Sequence, residues 1–293
     1  MRLRGVTTLG AAAALAGVGA AAWRAQPPLP PLPVVQPPVV GLPVVRPSIG
    51  STNVAPPPTR GAEPARSADP AAVPYDGRFT FARIRFTPLG GSTNFWGRED
   101  LKWDHDFPRA ERNFMRILSE VTAIRPYMDG GTALALDDPE LFKFPVAYLC
   151  EPGFWSPTEA EAAALRAYLT KGGFIIFDDF FGAHWDNFQA SMRRVLPQGR
   201  LVLLDASHPI FDSFYRIPDP AAGGAPYGSR RRPPEFYGVF EDNDPGKRLL
   251  AIVNYNNDVG EDWEWSDTGQ LPVDLTNHAY KLGVNYIVYA MTH

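Results

Sequence analysis

The 293-residue chain carries 28 Lys and Arg against 32 Asp and Glu, a formal net charge of −4. That balance creates no overall field for nucleic acid or an anionic membrane, and the one basic cluster, RRR at 230–232, reads as a solvated loop rather than a phosphate site. The single cysteine, Cys150, excludes an intramolecular disulfide, although a domain with a large core can be exported without one.

Arg2 and Arg4 precede an uncharged stretch that runs to Trp23, and AAA at 20–22 offers small residues to a signal peptidase. Residues 1–25 are therefore expected to be a signal peptide or a retained inner-membrane anchor. The two arginines are not adjacent, which disfavours a twin-arginine signal. Residues 26–75 are dense in proline, which fixes φ and removes amide donors, so neither helix nor sheet can form there. The segment reads as a polyproline II tether, and at about 3.1 Å per residue it could reach on the order of 100–150 Å. A periplasmic or otherwise extracytoplasmic domain is expected from residue 76 on. Its only membrane contact would be through residues 5–23, if these stay uncleaved.

FTFARIRF (79–86) has the alternation of a strand. The Gly- and Trp-rich stretch at 87–107 is long for a βα loop, and long loops inside compact domains are often functional. PRAERNFMRILSEVTAI then gives a helix with an apolar stripe at Phe114, Ile117, Leu118 and Val121. TALALD (132–137) and VAYLC within PVAYLC (145–150) read as the next two strands. In SPTEAEAAALRAYLTKGG, Ser156 is the expected N-cap, with Glu159 completing a capping box and Pro157 at the first helical position. Gly172 and Gly173 would end that helix in the left-handed conformation.

FIIF (174–177) is the fourth strand and delivers Asp178 and Asp179 at its end. A helix at NFQASMRRVLP, strands at RLVLLD (200–205) and RLLAIVNYN (248–256), and a closing helix over 278–291 complete the domain. Strands alternating with helices predict a three-layer α/β domain with a mostly parallel sheet and flavodoxin-like connectivity. No GxGxxG or P-loop occurs, and no cofactor is expected.

The carboxyl edge of such a sheet collects ligands, which makes Asp178 and Asp179 candidates. Adjacent strand residues face opposite ways. Either one caps a turn and the other is exposed, or at least one faces a crevice as metal ligand, general base or hydroxyl acceptor. His184 and Trp185 follow in the next loop. Asp179 and His184 could pair on a metal, but no HxH or HExxH spacing supports zinc and no metal is assigned. His208, before Pro209, is either a site residue or a local backbone anchor. FEDNDPG (240–246) reads as turn chemistry rather than a calcium loop. Trp96, Trp103, Trp155, Trp185, Trp263 and Trp265 lie in or beside predicted loops, to pack them or to stack on sugars.

FARIRF, LFKFPVAYL, SPTEAEAAALRAYLTKGGFIIFDD, SHPIFDSFY and KLGVNYIVYAMT carry a resemblance to the bacterial domain family DUF4159 over about Phe79 to Thr292. The resemblance implies a class I glutamine-amidotransferase-like fold, similar also to trehalose-utilisation-type domains. In amidotransferases of that fold the nucleophilic cysteine follows a strand that matches GGFIIFDDFFG, and here Asp179 or Phe180 would stand in its place. Cys150 lies one strand too early, and His208 is followed by Pro209 instead of a His-x-Glu pattern. Glutaminase chemistry is therefore not expected, since a carboxylate is a far poorer nucleophile than a thiolate. Two functions remain open. One is an exported, non-catalytic binding or assembly module for a glycan or an envelope protein. The other is a hydrolase using Asp179 and His184.

Overall fold

In the computed structural model, residues 73–91, 99–223 and 232–293 are described. The expected leader, most of the tether, Trp96, Arg230 and Arg231 lie outside them. Among the described residues, Val73 and Tyr75, just before residue 76, already touch the domain. The Val73 amide donates to Thr132 Oγ1 at 3.1 Å, and the Tyr75 ring meets Phe144 edge-on at 5.5 Å.

Seven strands form one sheet: β1 (Phe79–Arg85), β2 (Pro126–Ala135), β3 (Val146–Cys150), β4 (Phe174–Phe180), β5 (Val202–Leu203), β6 (Glu235–Phe240) and β7 (Leu249–Tyr255). Their order is β2-β1-β3-β4-β7-β6-β5. The first five run parallel, β6 turns back antiparallel to β7, and β5 pairs antiparallel to β6, in the direction of the first five. Helices α1 (Arg109–Val121), α4 (Val259–Glu264) and α5 (Val273–Thr292) pack together on one face. Helices α2 (Glu159–Thr170) and α3 (His184–Val195) pack together on the other. Phe81, Phe114, Trp263 and Tyr286 belong to the first core, and Ile84, Leu149, Phe177 and Phe188 to the second. The result is a three-layer α/β domain, as the alternation of elements predicts. Among the described residues no helix is long and apolar enough to cross a membrane.

Several boundaries differ from the sequence reading for identifiable reasons. The buried stripe of α1 is Glu111, Phe114, Met115 and Leu118, whereas Val121 is 37% exposed. The i, i+3, i+4, i+7 spacing is right, but its first position is a buried carboxylate, which an apolar pattern cannot reveal. The cap of α2 is Thr158, not Ser156. Its Oγ1 accepts from the Glu161 amide at 3.2 Å, and Glu161 Oε2 accepts from the Thr158 amide at 2.7 Å. S-P-T-E and T-E-A-E both fit the box. The chain at Trp155 is extended because Asn187 Nδ2 and Ser191 Oγ on α3 both donate to its carbonyl, at 2.8 Å each, which delays the helix start. Gly172 takes φ +113 and ends the helix, but Gly173 is small for another reason: a Cβ there would lie 2.4 Å from the Tyr168 ring.

RLVLLD supplies only a two-residue edge strand, while β6, hidden in EFYGVF, pairs along β7. The acidic FEDNDPG stretch turns the chain between β6 and β7. There Asp244 Oδ1 accepts from the Gly246 amide at 2.9 Å, and Lys247 pairs with Asp242 at 2.7 Å.

β1 is buried on both faces, yet it carries Arg83, which is 1% exposed. The guanidinium meets Glu111 Oε1 through Nε at 2.7 Å and Nη2 at 2.6 Å. Its Nη1 donates to the carbonyls of Trp103 at 3.2 Å and His105 at 2.9 Å, and the group lies 4.6 Å from the Tyr148 ring centre. Burial pushes the Glu111 carboxyl up against the pull of Arg83, and the two short contacts to one oxygen stand for the charged pair. Arg83 thus ties the β1–α1 loop and α1 to the sheet. Truncating one partner of a buried pair strands the other, at a cost of about 3–5 kcal/mol. Arg83→Ala is expected to lower unfolding free energy by that amount in denaturant titrations, with Arg83→Met plus Glu111→Leu recovering most of it. A change of less than about 1 kcal/mol would show that the pair does not hold the loop.

Candidate functional site

After β1 the chain moves to one side of the sheet, to β2, and then to the other side, to β3 and β4. The carboxyl ends of β1 and β3 therefore flank a switch point, where open α/β sheets leave a crevice. Glu151 follows β3 directly, Asp179 sits near the end of β4, and the loop held by Arg83 brings Asp100, Lys102 and His105 over both. Seven described residues other than glycine have left-handed φ, and five belong to this edge: Lys102, Asp106, Glu151, Asp179 and Asn256. Such backbone costs on the order of 1–3 kcal/mol per residue and persists where surrounding contacts over-determine it.

His105 is clamped between two carboxylates. Nε2 lies 2.7 Å from Asp100 Oδ1, and Nδ1 lies 3.1 Å from Glu151 Oε1. Burial works against its charged form, but Glu151 and Asp100 outweigh it and raise its pKa. The Lys102 ammonium lies 2.8 Å from Asp100 Oδ2, 3.7 Å from Glu151 Oε1 and 4.5 Å from the Phe154 ring centre. Its pKa is likewise raised against burial, by Asp100, Glu151 and Asp179. Burial would raise the Asp100 carboxyl, yet Lys102 and His105 hold it below the usual range. His105, Glu151 and Asp179 each offer one donor atom, all within 4.8 Å of one another.

The two adjacent aspartates divide their roles, and neither is exposed. Asp178 is fully buried on the α4 side. Its Oδ2 accepts from Tyr148 Oη at 2.6 Å and from the amides of Val259 at 2.8 Å and Gly260 at 3.0 Å, and its Oδ1 accepts from Asn254 Nδ2 at 3.0 Å. Burial and the charge of Asp258 push it up to about 6, while those donors pull it down. Four donors inside the core already bind this carboxylate, which is spent on structure rather than offered at the edge. Asp179, with φ 59, turns off the strand toward the edge and is 6% exposed. The Cys150 thiol lies 3.8 Å from its Oδ2, and burial together with the Asp179 charge pushes that thiol well above its usual range. Cys150 is therefore a protonated core residue, not a nucleophile.

His184 is the first residue of α3. Its ring packs on Phe154 at 4.7 Å and Phe181 at 5.3 Å, and burial and Lys102 lower its pKa. It stands close enough to Glu151 to feel that charge, which places a neutral imidazole beside the cluster. Trp185 packs against Phe180, Tyr237 and Tyr255. His208 is elsewhere: its Nδ1 accepts from the Ile210 amide, and its ring meets Phe240, which pairs with the first residue of β7 at the amino edge. Trp103, Trp155 and Trp263 are buried in the cores. Beside the cluster lies a second acidic group, Asp106 with Glu261 and Glu264. Burial and four neighbouring carboxylates push Asp106 well above its usual range, and its Oδ2 is buried without a hydrogen-bond partner. A cavity of about 380 Å³ opens at the amino edge between α2, α3 and the β6–β7 turn. Its arginine, Arg166, is already bound to the carbonyls of Val195 and Arg194.

Residues 80–291 match the family model DUF4159, a domain of unknown function. The chain belongs to this family. No curated protein matches it. Within this DUF4159 domain, sequence reasoning found Asp179 but missed Asp100, Lys102, His105 and Glu151. The length of the 87–107 loop and the charge density of DLKWDHD were the available signals.

Asp178→Asn would set an amide N–H₂ against either Asn254 Nδ2 or the amides of Val259 and Gly260, which donate, and a buried mismatch costs about 1–3 kcal/mol. It is expected to lower the denaturation midpoint clearly, whereas Asp179→Asn leaves it within the range of a surface change. Equal losses in the two variants would contradict the division of roles. Cys150 is expected to resist thiol reagents in the folded chain and to react only at the rate of global unfolding. Rapid labelling under native conditions would show an exposed thiol.

Proposed function

We propose that this domain is an exported binding module of the cell envelope, one that takes a hydroxyl-rich ligand of the glycan type at the Asp179 pocket without catalysing a reaction on it. The observation that carries this reading is the clamping of His105. Both ring nitrogens face carboxylates, at 2.7 and 3.1 Å, so the imidazole is held as a fixed donor rather than a free base. Carboxylate oxygens of Glu151 and Asp179 beside a fixed ammonium offer acceptors and donors together, which suits vicinal hydroxyls. The acid-rich edge disfavours an anionic ligand.

Export is supported by the Arg-flanked apolar segment and the proline tract that follows it. The partial order β2-β1-β3-β4-β7 agrees with flavodoxin-like connectivity, and the turn at Asp179 agrees with an amidotransferase-like ancestor whose nucleophile position now bears a carboxylate. A second reading, hydrolysis through Asp179 and His184, is favoured by that same left-handed turn, which resembles a nucleophile elbow.

Calorimetry against a panel of envelope oligosaccharides tests the proposal. The full chain is expected to bind at least one of them, with Asp179→Asn weakening it at least about tenfold, or 1.4 kcal/mol, at an unchanged melting temperature. No binding across the panel, or equal binding by the variant, would overturn it. Turnover of the bound sugar that is lost in Asp179→Asn and His184→Ala would transfer the case to the hydrolase. A reporter fused after His293 tests export, and a soluble cytoplasmic product retaining Met1 would refute it.

A further inference from the structure

We propose that His105, Glu151 and Asp179 form a divalent transition-metal site that prefers Zn²⁺ to Mg²⁺ or Ca²⁺. This rests on the reading of the Asp179 pocket as the ligand site and names a component of it.

The donor set is the first ground. One imidazole and two carboxylates come from three separate segments, the β1–α1 loop, the end of β3 and the end of β4. Their donor atoms lie within 4.8 Å of one another. Zinc bonds of about 2.0–2.2 Å place tetrahedral ligands about 3.3–3.6 Å apart, so side-chain rotations of roughly 1 Å close the tripod. A nitrogen with two carboxylate oxygens suits Zn²⁺, whereas Mg²⁺ and Ca²⁺ favour oxygen alone.

Orientation is the second. Asp100 Oδ1, 2.7 Å from Nε2, takes that N–H and fixes the tautomer, so Nδ1 is the nitrogen that faces Glu151 at 3.1 Å. Metal-bound histidines are held in this way by a carboxylate on their far nitrogen. The metal would replace the proton between Nδ1 and Glu151 and release it to solvent. Lys102 lies 3.7 Å from Glu151 Oε1 but only 2.8 Å from Asp100 Oδ2, so it would keep its nearer partner Asp100 when the metal takes Glu151.

Charge is the third. Asp100, Glu151 and Asp179 against Lys102 leave −2 once the imidazole is neutral, and a divalent ion brings the cluster to zero. Three protein ligands leave a further position for water or a ligand hydroxyl.

The test uses the untagged full chain after chelation and Zn²⁺ itself as the probe, in calorimetry and thermal melting, with Co²⁺ absorption as a spectroscopic check. One Zn²⁺ per chain is expected, with a raised melting temperature and Co²⁺ bands of low coordination number. Glu151→Gln and Asp179→Asn should each weaken Zn²⁺ at least about tenfold while keeping the wild-type circular dichroism. The double variant Glu261→Gln, Glu264→Gln, in the neighbouring acidic group, should bind as the wild type does. The inference is overturned if the chain takes no Zn²⁺, if the two site variants bind it normally, or if the double variant is the one that loses it. Glycan binding that needs Asp179 but survives chelation, in a chain that takes no Zn²⁺, would remove the metal and leave the binding reading standing. Zn²⁺ bound at the triad with no glycan bound would do the reverse.

Discussion

The Arg83 guanidinium fixes the geometry on which everything at the carboxyl edge depends. A strand buried on both faces has no ordinary place for a cation, and taking a charge out of water costs several kcal/mol. The cost is offset because each part of the fork finds a partner: one carboxylate on α1, two carbonyls in the β1–α1 loop, and the face of Tyr148 on β3. Docking of α1 and the course of the loop are therefore a single structural event. His105 uses its carbonyl to bind Arg83 and its ring to join Asp100 with Glu151. One residue thus transmits the order of the core to the site. A lysine could not replace Arg83, since its single ammonium cannot address three acceptors with a planar fork while stacking on a ring face.

Asp178 plays the matching part from the other side of the crevice. It binds the first amides of α4, Asn254 on β7 and Tyr148 on β3, and Asn254 in turn accepts from Tyr286 on α5 at 2.9 Å. This buried network joins three strands and two helices just beneath Asp179. Rigid support of that kind is what holds a neighbouring side chain at a useful angle. The doubled aspartate is therefore not two copies of one function. One carboxylate is consumed in making the floor, and the left-handed turn lifts the next onto it.

Much of the fold was legible because burial on both faces writes continuous apolar runs, as in VAYLC and FIIF, and because caps and glycines punctuate them. The failures have physical causes. Glu111 interrupts the apolar stripe of α1 at its first position, since its partner is a cation in the adjacent strand. β6 was overlooked because EFYGVF is short and follows a polar loop, and its pairing along β7 is a tertiary fact. Asp179 could be found from its place at a strand end. Glu151, equally at a strand end, follows the apolar VAYLC run with no second polar residue beside it to mark it as a site. His105 and Lys102 lie 46 and more residues before Glu151, and nothing local says that a loop will fold back over that strand. Asp178 was legible as a polar residue in an apolar run, but its four bonds depend on elements up to 82 residues away.

Electrostatics narrows what this edge can receive. Asp100, Glu151 and Asp179 stand with two cations, but Asp106, Asp178, Asp258, Glu261 and Glu264 lie close behind. Their mutual repulsion appears in the upward push on Asp106 and Asp178, each driven by burial and reinforced by Asp258. An anionic ligand would deepen that repulsion and pull against every one of them. A neutral polyol would leave it unchanged and gain only hydrogen bonds. A cation would relieve it, because each nearby carboxylate then gains an attractive partner in a partly buried setting where charges are weakly screened. The two cations already present, Lys102 and the clamped His105, serve that purpose on one side of the pocket. On the side of Asp179 the protonated Cys150 thiol stands 3.8 Å from Oδ2 as a weak donor. Under the proposed metal site, a divalent ion would add positive charge on that side as well, alone or as the anchor of a hydroxyl-bearing molecule.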